Sequence, residues 1–289
     1  MVEALCRFWG LPSAELKPLG GGMNSETWLV EDGRTTYVAK QVPSSQIADF
    51  IAGCEAAATL ADCGIVTGRP VPTIDGRLAV SDHGLALLEH VPGLELDGET
   101  DQEQRWMGST LARVHLAGHP APGANASTFM SDWLSPQLPG VRAHPWLLQA
   151  IEAVRAETDP LTLTWSMLHT DPTPEAFVHE ERTGVTGLID WAGARHGPVL
   201  YDVASAVMYL GGPGDASAFL DAYGQHGVLG PDELVLLDSF RIFRWAVQGA
   251  YFAWRLAGNN LVGIDDQLEN QSGLDRARGG LEGLGITQP

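Results

Sequence analysis

The stretch that most constrains this chain runs from Leu168 to Asp202, LHTDPTPEAFVHEERTGVTGLIDWAGARHGPVLYD. Asp171 falls in a His-Thr-Asp turn, a short strand is predicted from Ala176 to His179, and a second, Val185 to Ile189, ends on Asp190 directly before Trp191. Two carboxylates at the ends of neighbouring strands, one in a loop and one leaving a buried apolar run, suit phosphoryl transfer. One can orient and deprotonate a hydroxyl, and the other can hold a metal that bridges nucleotide phosphates.

The order LHTD, GLIDW, YDVA resembles the catalytic and metal-binding segments of the aminoglycoside phosphotransferase and choline kinase-like group. That group is distantly related to protein kinases, and its superfamily includes homoserine kinases and kinase-like proteins of peptide natural-product pathways. The resemblance implies ATP or GTP with Mg²⁺ as cofactors, Asp171 with His169 beside it at the reacting hydroxyl, and Asp190 on the metal. Asp202 resembles a family aspartate that braces the catalytic loop.

The upstream chain reads in the same sense. Three strands are predicted between residues 15 and 42, with Gly20-Gly21-Gly22 after the first and a turn at Asp32-Gly33 after the second. Consecutive glycines let backbone N–H groups approach phosphates, although a plain hairpin turn uses them equally well. Lys40 alternates onto the face of Val38 and Val42, which points it into a cleft or core where it needs an anionic partner. A helix predicted from Ser45 to Ala61 places Glu55 on or beside its apolar stripe, and the expected partner is this glutamate, as in the lysine–glutamate pair of kinases. A snorkelling lysine and a solvated glutamate are the alternatives. The strand ending in Glu89-His90-Val91 lies where the family has its hinge, so Glu89 and Val91 mark backbone contacts to the base.

His115 matches a family position within a Leu-Ala-Arg-x-His pattern and reads as a hydrogen-bonded core histidine. Further helices are expected over 101–118, 145–157, 198–210, 215–223, 231–256 and 265–281. The aromatic residues of the 231–256 segment read as core, and Asp265, Asp266 and Glu269 either line an acceptor pocket or are solvated. Strands, then a hinge, then mostly helices give an α+β, two-lobed kinase-like architecture: an antiparallel-sheet N-lobe over 1–91 and a helical C-lobe over 92–289.

Composition limits the partners. A formal net charge of −19 disfavours nucleic acid and anionic membranes. It suits a cationic acceptor such as an aminoglycoside, or serves solubility alone. No apolar run approaches the roughly 20 residues that span a bilayer. Cys6, Cys54 and Cys63 show no metal-ligand spacing, and a cytoplasmic location is expected.

One position departs from the family pattern. The asparagine that ends the family's catalytic loop and binds a second metal is here Ala176, with Glu175 beside it offering a hard oxygen ligand. Thr170 also replaces a usual glycine. The leading expectation is phosphotransfer to a hydroxyl of a small molecule: an aminoglycoside, another antibiotic or an amino alcohol. The alternatives are a Ser/Thr kinase for a precursor peptide working with a partner lyase, and an inert kinase-like scaffold.

Overall fold

The alternating, β-branched character of residues 26–41 forms a tight antiparallel hairpin, turned at Gly33 with φ near +63°, a conformation that glycine adopts without a Cβ clash. In the computed structural model, which describes residues 1–20, 25–33, 35–123, 129, 134, 137–158 and 161–286, this hairpin is the middle of a four-stranded sheet. Its strands are β1 (Glu15–Leu19), β2 (Glu26–Asp32), β3 (Thr35–Gln41) and β4 (Leu85–Glu89), in that spatial order and antiparallel throughout. The register sets Lys40 of β3 between Thr27 and Ala86. Residues 69–71 run along the far side of β4, with the Glu89 amide donating to the Arg69 carbonyl and the Val71 amide to the Leu87 carbonyl.

Two helices flank this sheet. Helix α1 (Val2–Trp9) buries Leu5 against Val30, Ala39 and Leu87. Its short apolar face was not read as a helix from the sequence. Helix α2 (Ile47–Asp62) covers the other face, where Phe50 and Cys54 pack with Val42 and Ala86. Its C-terminal half, Ala56, Ala57 and Leu60, joins the large core of the helical region. The helix therefore belongs to both bodies.

The second body begins with β5 (Leu94–Glu95) and α3 (Asp101–Ala117), whose start is fixed by a capping box between Thr100 and Glu103. Such caps contribute about 1 kcal/mol. Then follow β6 (Ala121–Pro122), α4 (Pro145–Thr158), β7 (Thr164–Leu168), β8 (Phe177–Glu180), β9 (Val185–Leu188) and β10 (Arg195–Pro198). These make two small sheets, ordered β10-β7-β6 and β5-β8-β9. The chain ends in helices α5 (Leu200–Tyr209), α6 (Ser217–Gly224), α7 (Pro231–Leu234), α8 (Leu237–Ala257) and α9 (Gln267–Gly283).

The fold is thus the α+β, two-lobed kinase-like arrangement. Two local expectations on helix bounds are corrected. The single helix expected over 231–256 breaks after Leu234; the side chain of Glu233, within the short first piece, accepts from the Thr164 amide (2.7 Å) and hydroxyl (2.6 Å). The helix expected from Pro198 starts at Leu200, because residues 195–198 pair with β7. Of the two readings of the acids near the start of α9, the structure agrees with the solvated one: Asp265, Asp266 and Glu269 are exposed, Asp266 accepts from the Leu268 amide, and Glu269 accepts from the Asp265 amide. Among the aromatic positions of α8, Phe240, Phe243 and Phe252 are buried core, whereas Trp254 is 40% exposed.

Candidate active site

The Asp171 turn is held by its backbone. Both oxygens of Asp202, in the first turn of α5, accept main-chain amides: His169 N–H at 2.7 Å on Oδ2 and Thr170 N–H at 2.8 Å on Oδ1. His115 on α3 sits 3.2 Å from the same Oδ2 through Nε2, and its Nδ1 lies 2.7 Å from the Tyr223 hydroxyl. Asp202 and His115 are wholly buried. A buried carboxylate is tolerable only when its lone pairs are taken up this way, and the position near a helix N-terminus also favours it. Burial, with the Asp202 and Glu233 charges adding to it, pushes the Tyr223 phenol well up, so it stays protonated.

The turn carries strain where it exits the strands. Thr170 and Asp190 have positive φ, 76° and 69°. This is costly for a β-branched threonine and is kept only where surroundings over-determine it. The Thr170 hydroxyl donates to the Gly193 carbonyl at 3.0 Å, joining this turn to the one after Asp190. His169 does not face the open side. It is 2% exposed, its Nε2 lies 2.7 Å from the Ile189 carbonyl, and its ring meets Trp191 edge-on. His169 thus ties the Asp171 turn to the strand that leads to Asp190.

Asp190 pairs with Lys40, whose ammonium donates to Oδ1. The lysine side chain is 11% exposed and the aspartate 55%. Desolvation pushes the Asp190 carboxyl up, but the charge and hydrogen bond of Lys40 outweigh it, and the net position is below the ordinary carboxylate range. The expected Lys40–Glu55 pair is not among the ion pairs of the described residues. Glu55 is exposed. The physical reason lies in α2: its buried stripe follows Phe50, Cys54, Ala57 and Leu60, and Glu55 falls off that face. Beside Lys40, the buried Cys54 thiol is pushed up to about 12, mainly by desolvation. α2 also presses on the turn that follows Asp190. A Cβ on Gly53 would stand 2.1 Å from the Trp191 carbonyl oxygen, so only glycine allows this approach.

Asp171 projects from the turn with its side chain 58% exposed. Its Oδ1 accepts from the Tyr209 hydroxyl at 2.6 Å and from Arg244 Nη2 at 2.7 Å, and Arg244 donates to Tyr209 as well, at 2.7 Å. Neither Tyr209 nor Arg244 was singled out from the sequence. Arg244 lies among the aromatic core positions of α8, and a charge inside an apolar stripe is the signal that could have found it. Burial pushes the Tyr209 phenol well up, so it stays a donor.

The remaining predicted residues are dispersed. Gly20 is exposed with open space around it, whereas Gly21 and Gly22 lie outside the described residues. Glu89 ends β4 with its amide engaged by Arg69, and Val91 is half-buried beyond it, against Gly68. Glu175 is exposed and near enough to the Tyr209 phenol to oppose its ionisation. Ala176 is buried in the main core, and its carbonyl accepts from the Ile189 amide at 2.9 Å. No group of three or more acidic, histidine or cysteine side chains that could hold a metal occurs among the described residues. A single exposed carboxylate at Asp190 nevertheless fits Mg²⁺, which keeps several waters and takes one or two carboxylates plus substrate phosphates.

No helix among the described residues is long and apolar enough to cross a membrane. Comparison with known proteins bears directly on the arrangement. A homoserine kinase of Caulobacter vibrioides is 26% identical over 94% of this chain and 92% of its own length. The solved choline kinase LicA from Streptococcus pneumoniae superposes with a TM-score of 0.71 at 16% identity, over 97% of each chain. A microcompartment-associated aminopropanol kinase gives 0.67 at 19% identity, over 99% of this chain and 98% of its own. The model of the phosphotransferase enzyme family matches residues 15–236, spanning the sheet, Lys40, Asp171, Asp190 and Asp202, and the chain belongs to that family.

Proposed function

We propose that this protein transfers the γ-phosphoryl group of ATP or GTP to the hydroxyl of a small, amino-bearing acceptor. The observation that carries the reading is the pair of exposed carboxylates, Asp171 and Asp190, on turns tied together through Thr170–Gly193 and His169–Ile189, with Lys40 on the second of them. Lys40 reaches a site where phosphates would sit, and the glycines at 20–22 would cover them with backbone amides. Asp190 would hold Mg²⁺, with Glu175 as a second available oxygen. The metal, when bound, supplies charge neutralisation across the phosphates.

Within this reading Asp171 does the work at the acceptor. Its Oδ1 is occupied by Tyr209 and Arg244, and its Oδ2 receives no hydrogen bond from the described residues. Oδ2 therefore accepts the acceptor's hydroxyl proton, or aligns that hydroxyl for in-line attack. Names among similar proteins, homoserine, aminopropanol and choline kinases, all describe hydroxyl acceptors with a nitrogen nearby. A small amino alcohol or hydroxy amino acid is the acceptor class we favour over a large aminoglycoside.

The test is calorimetric binding of ATP and GTP with titrated Mg²⁺, on wild type and Asp190→Ala, followed by phosphate transfer to homoserine, aminopropanol, choline and an aminoglycoside. Mg²⁺-dependent binding that the variant loses, with transfer to one small acceptor, is the expected outcome. Failure to bind either nucleotide would sink the reading.

A further inference from the structure

We propose that Arg244 and Tyr209 are positioning residues that fix the Asp171 carboxylate so that one chosen oxygen meets the acceptor. The proposal rests on the phosphotransfer reading above and concerns how its acid is aimed.

The geometry is a closed triangle: Tyr209 hydroxyl to Asp171 Oδ1 at 2.6 Å, Arg244 Nη2 to the same Oδ1 at 2.7 Å, and Arg244 Nη2 to the Tyr209 oxygen at 2.7 Å. One phenol proton is donated to the carboxylate while its oxygen accepts from the guanidinium, so every donor and acceptor in the ring is matched. Both donors fall on Oδ1. An exposed aspartate on a loop would otherwise exchange its two oxygens by rotation about its last torsion, which is soft. Clamping Oδ1 leaves Oδ2 as the oxygen turned to a bound hydroxyl.

Two further observations set this apart from an ordinary surface ion pair. The first is where Arg244 comes from. Its side chain is only 8% exposed, on a helix whose neighbouring positions Phe240 and Phe243 are fully buried core. Stability gains little from a cation there, because an apolar residue of similar size packs as well without the desolvation cost. The second is how the parts are linked. Asp202 and Tyr209 lie seven residues apart on α5, two helical turns, and so share a face. Asp202 grips the main chain of His169 and Thr170, and Tyr209 grips the side chain of Asp171. A single rigid helix thereby sets both the loop and the direction of its acid, the kind of support that keeps reacting atoms within a near-attack geometry.

The experiment is a double-mutant cycle in the full chain, with nucleoside diphosphate release measured both with the accepted hydroxyl compound and with water. Arg244→Gln should lower kcat about 100-fold, the cost of misplacing a reacting group by about an ångström, while calorimetric nucleotide affinity stays at the wild-type value. Arg244→Lys should recover part of that loss, since it restores one donor. In an Asp171→Asn background Arg244→Gln should cost nothing further, because there is no longer a base to aim. Tyr209→Phe, which keeps the ring packing, should lose about tenfold, near one hydrogen bond's worth, and it decides the matter if Arg244→Gln does not fold. Unchanged kcat in the single variants, or an equal loss in both backgrounds, overturns the positioning role alone. A wild type that releases no diphosphate with either acceptor overturns the phosphotransfer reading, and this role with it.

Discussion

Lys40 and Asp190, 150 positions apart in sequence, form the ion pair that joins the middle of the N-terminal sheet to the turn following β9. The pair gives the two bodies an electrostatic contact at the place where phosphate charge is proposed to enter. The lysine is nearly covered and the aspartate open.

The first prediction concerns pH. The Asp190 carboxyl lies below its ordinary range in the folded protein, so its contribution to stability is present above the unfolded carboxylate value near 4 and is lost as pH falls through the folded value. Thermal melts of wild type and Asp190→Asn should differ at pH 6 and converge as the pH drops below about 4. A difference that persists unchanged at pH 3 would mean the Lys40 contact does not stabilise the fold.

A second prediction separates binding from chemistry. Asp171→Asn keeps the size of the side chain and can still be held by Tyr209 and Arg244, but it cannot take a proton. Phosphate transfer should fall by about 10²- to 10⁴-fold, the usual contribution of a general base, with nucleotide affinity unaltered. Steady-state kinetics beside calorimetry checks both halves of the statement.

The third prediction tests the bracket under the Asp171 turn. Asp202→Ala leaves two buried amides without an acceptor and strands His115 beside them. Breaking such a buried charged group typically costs about 3–5 kcal/mol, readable as a lowered urea midpoint. His115→Phe should cost less, because the Asp202 contacts to the backbone survive it.

The fourth concerns the seat of α2. Gly53→Ala places a methyl 2.1 Å from the Trp191 carbonyl, in a contact where both partners are backbone and neither can swing aside. Overpacking of this kind costs about 1–3 kcal/mol. The same displacement should weaken Mg²⁺-dependent nucleotide binding, because the pushed turn is the one that begins at Asp190. Normal binding in a destabilised variant would show that the turn yields without moving Asp190.

Much of this arrangement was legible in the sequence, and the reason is locality. Asp171, Asp190 and the strands between them sit in one 35-residue stretch whose apolar runs and turns declare themselves. Lys40 announced itself by alternation alone, since a lysine between two inward-facing valines needs a partner. Choosing that partner was another matter. Glu55 and Asp190 are both carboxylates, and helix spacing could not resolve a rotation that puts Glu55 just off the buried stripe of α2. Arg244 and Tyr209 were missed because they come to Asp171 from 73 and 38 residues away and lie in segments that read as plain core. The break at Leu234 was hidden for the same reason, since the contact beside it, Glu233 to Thr164 of β7, spans 69 residues.

Main-chain attachment gives this loop a tolerance for sequence drift. Asp202 holds residues 169 and 170 by their amides, and the Ala176 carbonyl receives the Ile189 amide. None of these bonds depends on what side chain the position carries. Thr170 and Ala176 are both held this way, Thr170 also through its hydroxyl on the Gly193 carbonyl. At position 176 the loop's path therefore rests on the main chain, whereas at 170 the left-handed backbone, φ 76°, still limits which side chains fit.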